Sequence, residues 1–231
     1  MEGESMKRPT LICHMMQSIN GKIAGNFYEA EMIPHGGTLY KKISEQFDAD
    51  AILYGRITAE ELAGNSLKLV PGIAQKPVYH GKKADHYVVV LDPHARLAWN
   101  KRSLHAARLK DKGVITVVST QTEDAYLRGL EELGISYIVS NDMGKTLYIL
   151  YETFGIGKLL VQGGGIINAS LIEQGVIDEI SLVIVPVIAL DQAQTCFIEA
   201  KGYSPKESLE TFSQVHAQTF DDGIVWLHYE K

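Results

Sequence analysis

The chain has 231 residues, with 22 Lys or Arg against 28 Asp or Glu, and its formal net charge is −6. Its 45% hydrophobic and 22% charged residues are typical of a folded globular protein and exclude disorder as the main state. We expect one cytoplasmic domain over residues 1–231, with residues 1–8 disordered. The acidic balance indicates no nucleic-acid partner. Apolar runs shorter than the roughly 20 residues of a membrane span indicate no membrane partner.

Apolar runs of strand length alternate with stretches of helical periodicity along the chain. The runs that predict strands are residues 10–16, 51–54, 87–91, 114–118, 137–139 and 158–161, and a longer run at 179–190 is interrupted by Pro186. The stretches that predict helices are residues 38–47, a short helix opened by Thr58, a helix ending near 133, and residues 146–154 and 167–174. Residues 64–83 contain two prolines and three glycines and predict a long loop.

The C-terminal part predicts a hairpin. Residues 214–220 and 224–229 flank Asp221-Asp222-Gly223, and Asp-Gly between two such runs is a strong hairpin signal. Together with the strand–helix alternation, this predicts an α/β fold. We expect a mixed, mostly parallel central sheet with helices on both faces and a C-terminal antiparallel hairpin.

Glycines follow the predicted strand at residues 158–161. Gly163, Gly164 and Gly165 let a ligand approach the backbone and the start of the next helix, which favours an anion. Glycines also form ordinary tight turns, and the sequence leaves both interpretations open. The pattern is neither a Gly-x-Gly-x-x-Gly element nor a P-loop.

Two further strand ends carry groups suited to phosphate. Gly55, Arg56 and Thr58 place a guanidinium beside a helix start, although a surface charge and a helix cap explain the same residues. Ser119 and Thr120 provide hydroxyls that can hold a phosphate monoester or cap the following helix. Three such ends in one fold indicate a long ligand with several charges, such as a dinucleotide.

Several sequence elements resemble those of one protein family. Residues 16–24, MQSINGKIA, are similar to its Ser-aliphatic-Asp-Gly-Lys-Ile-Ala element, and residues 55–58, GRIT, to its Gly-Arg-x-Thr element. Residues 160–165, LVQGGG, with residues 178–180 and 185–186, resemble its Val-Glu-Gly-Gly … Asp-Glu-Ile … Pro run. The chain therefore resembles the reductase domain of bifunctional riboflavin-biosynthesis deaminase-reductases, which has a dihydrofolate reductase-like fold. It lacks the His-x-Glu and Pro-Cys-x-x-Cys signature of zinc deaminases, so we expect the reductase half alone.

The resemblance implies an NADPH-dependent reductase that forms a homodimer and acts on a small molecule. The cofactor contacts carried over by position are Gly55, Arg56 and Thr58 for the phosphates, Ser119 and Thr120 for the adenosine 2′-phosphate, and Gly163, Gly164, Gly165 and Ile166 for the pyrophosphate. Asn20, Lys22 and Gln162 are the candidates on the nicotinamide and substrate side. A ribosylaminopyrimidine of riboflavin biosynthesis is the first expected substrate, and a pterin or folate-type ring is the alternative.

Two positions depart from the family pattern. Asn20 stands where the family usually has Asp, and Gln162 stands where Glu is common. A carboxylate can exchange a proton with a reacting group, whereas an amide only forms hydrogen bonds. In the family these positions serve either to deliver a proton or to orient the loop. If they deliver a proton, this chain lacks that function. The first case favours a non-catalytic nucleotide-binding or regulatory protein.

The remaining polar residues give weaker signals. The eight histidines are scattered without metal-ligand spacing, so we expect no metal site. His35 either lines a substrate pocket or lies in a surface loop. Lys22 either meets a substrate phosphate or is solvated.

Overall fold

The computed structural model describes residues 7–190, 195–199 and 210–231. The chain divides into two compact units, which we call unit 1 (Met1–Pro9 and Asp50–Leu159) and unit 2 (Thr10–Ala49 and Leu160–Lys231). Residues 1–8 are expected to be disordered, and residues 1–6 of this stretch lie outside the described residues. The single domain stays a prediction.

The elements follow one another in this order: β1 (Thr10–Ser18), α1 (Ile33–Gln46), β2 (Ala51–Gly55), α2 (Arg56–Glu60), β3 (Val78–Tyr79), β4 (Tyr87–Leu91), β5 (Gly113–Val118), α3 (Asp124–Leu133), β6 (Ser136–Val139), α4 (Met143–Phe154), β7 (Lys158–Val161), α5 (Gly165–Glu173), β8 (Glu179–Val185), β9 (Ser213–Thr219) and β10 (Val225–Glu230). Among the described residues, each helix is too short or too polar to span a bilayer.

Unit 1 is built on strands in the order β3-β6-β5-β4-β2. β2, β4, β5 and β6 are parallel, and β3 is antiparallel to β6. Every residue of β4 and β5 is buried, which is why these strands are continuous apolar runs rather than alternating ones. Trp99, Leu127 and Tyr137 are among the buried residues of the core.

Unit 2 pairs β1 with β8 in parallel, β8 with β10 antiparallel, and β10 with β9 antiparallel. Helix α1 packs on these strands, with Ile43 buried in one cluster with Val183 and Val185. The predicted hairpin is therefore confirmed, and Gly223 in its turn has the left-handed φ of +76°. The predicted mixed α/β fold with a mostly parallel sheet is confirmed as well.

A buried polar network crosses unit 2. His14 Nε2 lies 3.0 Å from the carbonyl oxygen of Tyr40, and Nδ1 lies 2.9 Å from Ser181 Oγ. Because a carbonyl only accepts, Nε2 carries the hydrogen, while Ser181 accepts from Trp226 Nε1 and donates to Nδ1. The neutral ring is thus satisfied at both nitrogens. Burial is the main cause that lowers the pKa of His14 to about 4.

Several predicted bounds differ from the structure, and two of the differences are instructive. Helix α1 begins at Ile33 rather than at residue 38, with Pro34 in its first turn, and Gly36 lets the helix approach β8 closely. A Cβ at Gly36 would lie 2.5 Å from Val185 Cγ1. The predicted loop at 64–83 contains β3, whose two residues pair with β6.

Candidate functional site

The turn after β1 is closed by its own residues. The Ser18 N–H donates to the Lys22 carbonyl at 2.9 Å, and the Lys22 N–H donates to Ser18 Oγ at 2.9 Å. Gly21 has φ of +77°, a conformation that strains residues with a Cβ. The Ser18 hydroxyl also donates to Asn20 Oδ1 at 2.8 Å. This pattern fixes the Asn20 side chain within the turn.

Asn20 joins this turn to the chain that follows β8. Its Nδ2 donates to the Ala189 carbonyl at 2.8 Å, and its Oδ1 accepts from the Ala189 N–H at 3.2 Å. An ionised aspartate accepts but cannot donate, so it would face the Ala189 carbonyl without a hydrogen. The amide at this position therefore holds the turn, and both of its ends are engaged.

Residues 195–199, which we call the 195–199 segment, run alongside the same turn. The Ile23 N–H donates to the Thr195 carbonyl at 3.0 Å, and the Phe197 N–H donates to the Gly21 carbonyl at 3.0 Å. Lys22 Nζ lies 3.4 Å from Cys196 Sγ. The Lys22 side chain is thus directed toward the segment.

The 195–199 segment also contacts the glycine loop and explains Gly165. The Glu199 N–H donates to the Gly165 carbonyl at 3.0 Å. A Cβ at Gly165 would lie 2.1 Å from the Cys196 carbonyl oxygen, so only glycine fits between α5 and the segment. The side chain of Asn168, buried in α5, donates to the Phe197 carbonyl at 2.9 Å. Packing within the protein therefore requires Gly165.

Gly164 has a different environment. It is the N-cap of α5, with φ of −63° and ψ of 172°, which any residue can adopt. Among the described residues, no atom lies within 4 Å of the place where its Cβ would be. The neighbouring Ile166 side chain is exposed. Apart from the chain neighbours of Gly164, the described residues thus leave open space beside the N-terminal end of a nine-residue helix, where the backbone favours an anion.

Gln162 is half-buried between the glycine loop and α1. Its Nε2 donates to Ser44 Oγ at 3.2 Å, and Ser44 belongs to α1. The amide therefore has a partner inside unit 2. Asn20 and Gln162 share this property, because each amide hydrogen-bonds to a neighbouring element of the unit.

The candidate residues of unit 1 lie at one edge of its sheet. In the parallel register, Gly55 pairs with Leu91 of β4, and Leu91 pairs with Val117 of β5. Two strand spacings therefore separate Gly55 from Val117, about 10 Å. The residues that follow β2 and β5 thus lie at the same carboxyl edge, as predicted for a binding site.

Arg56 and Thr58 both lie in α2, which starts earlier than predicted. The helix begins at Arg56 with Gly55 as its N-cap, so Thr58 is the third helical residue and the predicted capping by Thr58 is wrong. Arg56 Nη1 forms an ion pair with Glu60 one turn later. A guanidinium has five N–H donors, so this pair leaves others for a ligand.

Ser119 and Thr120 form a turn rather than a helix start. The Thr122 N–H donates to the Ser119 carbonyl at 3.1 Å, and α3 begins only at Asp124. Thr120 is held by Asn141, which accepts from its N–H at 3.1 Å and donates to its hydroxyl at 2.9 Å. The hydroxyls therefore do not cap the following helix, and that interpretation is wrong.

His35 lies in the first turn of α1 with its side chain 62% exposed. Its Nδ1 is 2.6 Å from Asp222 Oδ2 in the turn between β9 and β10. This contact ties α1 to the hairpin. His35 is thus a surface residue with a structural partner.

Sequence reasoning missed the residues that hold these loops. Most of these contacts are made by backbone groups, those of Ala189 and of the 195–199 segment, and one is made by the side chain of Asn141. Such contacts leave no motif in a single sequence. Asn20 and Ala189 are 169 positions apart, and Thr120 and Asn141 are 21 positions apart. Only the fold brings these pairs together.

Solved structures with the same fold include a RibD protein, a riboflavin biosynthesis reductase and a pyrimidine reductase-like protein. Acinetobacter baumannii RibD, form 2, matches 97% of this chain with a TM-score of 0.68 at 16% identity, and 58% of the RibD chain is covered. The riboflavin biosynthesis reductase Rib7 of Saccharomyces cerevisiae matches 99% of this chain, with 92% of its own length covered, a TM-score of 0.64 and 17% identity. A pyrimidine reductase-like protein of Corynebacterium diphtheriae has a TM-score of 0.66 at 17% identity, covering 96% of this chain and 91% of its own.

The sequence comparison is consistent with these folds. This chain spans 58% of the length of the Acinetobacter RibD chain that it matches. The family model of the RibD C-terminal domain matches residues 9–226, which is nearly the whole chain. The resemblance found in the motifs is therefore confirmed, and the chain belongs to the RibD C-terminal domain family.

Proposed function

We propose that the protein is an NADPH-dependent reductase that transfers a hydride to a small heterocyclic or carbonyl- or imine-bearing metabolite. A ribosylaminopyrimidine of riboflavin biosynthesis is the first candidate substrate. Family membership and neighbours named as riboflavin-biosynthesis reductases support this proposal. The homodimer and the cytoplasmic location remain predictions.

The observation that carries the proposal is the open space at Gly164. Gly164 precedes an uncapped helix start with room for a ligand, whereas the adjacent Gly165 is filled by the 195–199 segment. We assign Gly163, Gly164, Gly165 and Ile166 to the pyrophosphate, which their backbone amides suit. The residues of this loop fit an anionic cofactor.

In unit 1 by itself, two sets of residues are proposed as phosphate ligands. Gly55, Arg56 and Thr58 are proposed as phosphate ligands, with the N–H groups of Arg56 beyond its Glu60 pair as donors. Ser119 and Thr120 are proposed for the 2′-phosphate. Both sets lie at the carboxyl edge shared by β2, β4 and β5.

The cofactor and the protein would contribute different parts of the chemistry. When bound, NADPH supplies the hydride, and the chain must position the acceptor carbon and exclude water. Asn20, Lys22 and Gln162 are proposed on the substrate side. Since the two amides cannot exchange a proton, the proton that completes the reduction must come from another source, such as the Lys22 ammonium, a water molecule or the substrate itself.

Gly164→Ala tests this assignment. The methyl group enters open space in the free protein, so the fold is retained, but it would occupy the place of the pyrophosphate. We expect NADPH affinity, followed by fluorescence titration, to fall at least tenfold. Gly37→Ala is the matched control, because its Cβ also meets no described atom within 4 Å and lies in α1.

Two results would remove the proposal. One is the absence of saturable NADPH binding by the unaltered chain at high micromolar cofactor. The other is an unchanged affinity in Gly164→Ala when circular dichroism shows the same fold in both variants. Equal losses in Gly164→Ala and Gly37→Ala would also argue against contact at Gly164.

The second candidate is a non-catalytic nucleotide-binding protein on the same fold. The engagement of Asn20 with Ala189 and Ser18 favours it, since this position offers no proton. NADPH binding without oxidation across a panel of ribosylaminopyrimidine and pterin substrates would support this candidate. Turnover of any member of the panel would exclude it.

A further inference from the structure

Three potential metal ligands meet where β8 begins and β10 ends. Glu179 is the first residue of β8, and His228 and Glu230 lie in the C-terminal half of β10. One ligand atom from each residue lies within 4.8 Å of the others. His228 Nε2 is 2.9 Å from Glu179 Oε2. All three belong to unit 2.

The strand register places two carboxylates face to face. Glu230 pairs directly with Glu179 in the antiparallel ladder. Like charges directly opposite each other on neighbouring strands destabilise a sheet. The adjacent Lys231 does not relieve this repulsion, because its Nζ lies 2.8 Å from Glu210 Oε2 and donates to the Gly175 carbonyl. A cation between the two glutamates would remove the repulsion.

The histidine is oriented by aromatic neighbours. The His228 ring is stacked on Trp226, with centroids 6.2 Å apart, and meets the edge of Phe47 at 5.5 Å. The side chains of His228 and Glu179 are only 14% and 21% exposed. Nε2 is therefore held toward Glu179 in a site that is partly shielded from water.

We propose that Glu179, His228 and Glu230 bind one divalent transition-metal cation of the Zn²⁺ type. One imidazole nitrogen with two carboxylates suits Zn²⁺, whereas Mg²⁺ and Ca²⁺ prefer oxygen ligands alone. The exposed side of Glu230 leaves room for water as a fourth ligand. The ion would link the start of β8 to the end of β10 and hold the C-terminal strand in the sheet.

This site departs from the sequence expectation of no metal. His228 and Glu230 are two positions apart, but Glu179 is 49 positions from His228, so the sequence does not show the three residues as one set of ligands. The register between β8 and β10 creates the cluster. The inference does not depend on the proposed reductase activity.

The test uses the full chain after removal of bound metal with a chelator. Zn²⁺ is titrated in competition with a chromogenic chelator, and the number of ions and the affinity are measured. We expect one Zn²⁺ per chain, with an affinity that falls at least tenfold in Glu230→Gln and in His228→Asn. A rise in the thermal midpoint with Zn²⁺ should disappear in the same variants, because an ion that binds the folded state alone stabilises it.

Matched controls identify the site. His216→Asn alters an exposed histidine on β9 of the same hairpin, and Cys196→Ser removes a half-buried thiol. Both should bind Zn²⁺ as the unaltered chain does. Equal weakening by either control, or an unchanged affinity in Glu230→Gln, would overturn the proposal. Glu230 is exposed, so its variant decides the question even where His228→Asn loses stability.

Discussion

Asn20 forms both hydrogen bonds of a peptide-like pair with Ala189, although the two residues are 169 positions apart. The side chain accepts from the Ala189 N–H and donates to the Ala189 carbonyl, as a neighbouring strand would. An amide completes this pair and a carboxylate does not. The Asn that stands in place of the family's usual Asp therefore removes an ionisable group and fixes the turn.

Asn20→Asp should destabilise the protein by about 1–2 kcal/mol at pH 7, because the carboxylate would face the Ala189 carbonyl. Urea unfolding measures the difference in free energy. The deficit should shrink below about pH 4, where the carboxyl group is protonated and can donate. An Asn20→Asp variant as stable as the unaltered chain at pH 7 would contradict the pairing.

Buried His14 makes stability depend on pH. Its pKa is about 4 in the folded protein against 6.5 for the ordinary side chain. Between these two pH values the unfolded chain therefore binds a proton at His14 and the folded chain does not. The free energy of unfolding is therefore unaffected by His14 protonation above pH 6.5, and it decreases as the pH falls toward 4, by about 3 kcal/mol in total. Unfolding free energies measured from pH 7 to 4 check this.

His14→Gln is the comparison for that measurement. The variant retains the other seven histidines, so the difference between the two pH slopes isolates His14. We expect a shallower loss of stability in the variant between pH 6.5 and 4, whatever its stability at pH 7. Parallel slopes would show that His14 does not remain neutral.

Two adjacent glycines of α1 should respond oppositely to alanine. At Gly37 the Cβ meets no described atom within 4 Å, so alanine should stabilise the helix by about 0.5–1 kcal/mol. At Gly36 the Cβ would lie 2.5 Å from Val185 Cγ1, so alanine should destabilise the protein. Thermal unfolding of both variants gives the signs, and equal signs would contradict the packing of α1.

Arg56 and Glu60 give a test of phosphate recognition in unit 1. Arg56→Ala should weaken NADPH binding more than NADH binding, about tenfold more, if the guanidinium contacts the additional phosphate. Glu60→Gln releases the guanidinium from its ion pair and should tighten NADPH binding a few-fold. Fluorescence titrations with both cofactors measure the ratios. Equal losses for the two cofactors in Arg56→Ala would indicate a structural role.

Local sequence predicts the strands that consist largely of buried apolar residues. Tyr87–Leu91 and Lys158–Val161 have the predicted bounds, because the first is a continuous buried apolar run and the second has three buried apolar residues after Lys158. The left-handed Gly134 at the end of α3 follows from the same local chemistry. The strand β3 could not be predicted, since its two residues are strand only through pairing with β6.

The motifs of the candidate site are visible in the sequence, whereas the residues that contact them are not. The glycines and the Gly-Arg-x-Thr element are visible as motifs. The sequence could not show that Gly165 is required by the Cys196 backbone while Gly164 faces open space, because this distinction needs the 195–199 segment in place. It also could not show the Asn141 contacts of Thr120.

The 195–199 segment hydrogen-bonds to Gly21 and Ile23 on one side and to Gly165 on the other. A substitution in these five positions therefore acts on both loops together. Under the proposed assignment of these loops to substrate and cofactor, a change that tunes one would also disturb the other, through a stretch of chain that belongs to neither motif.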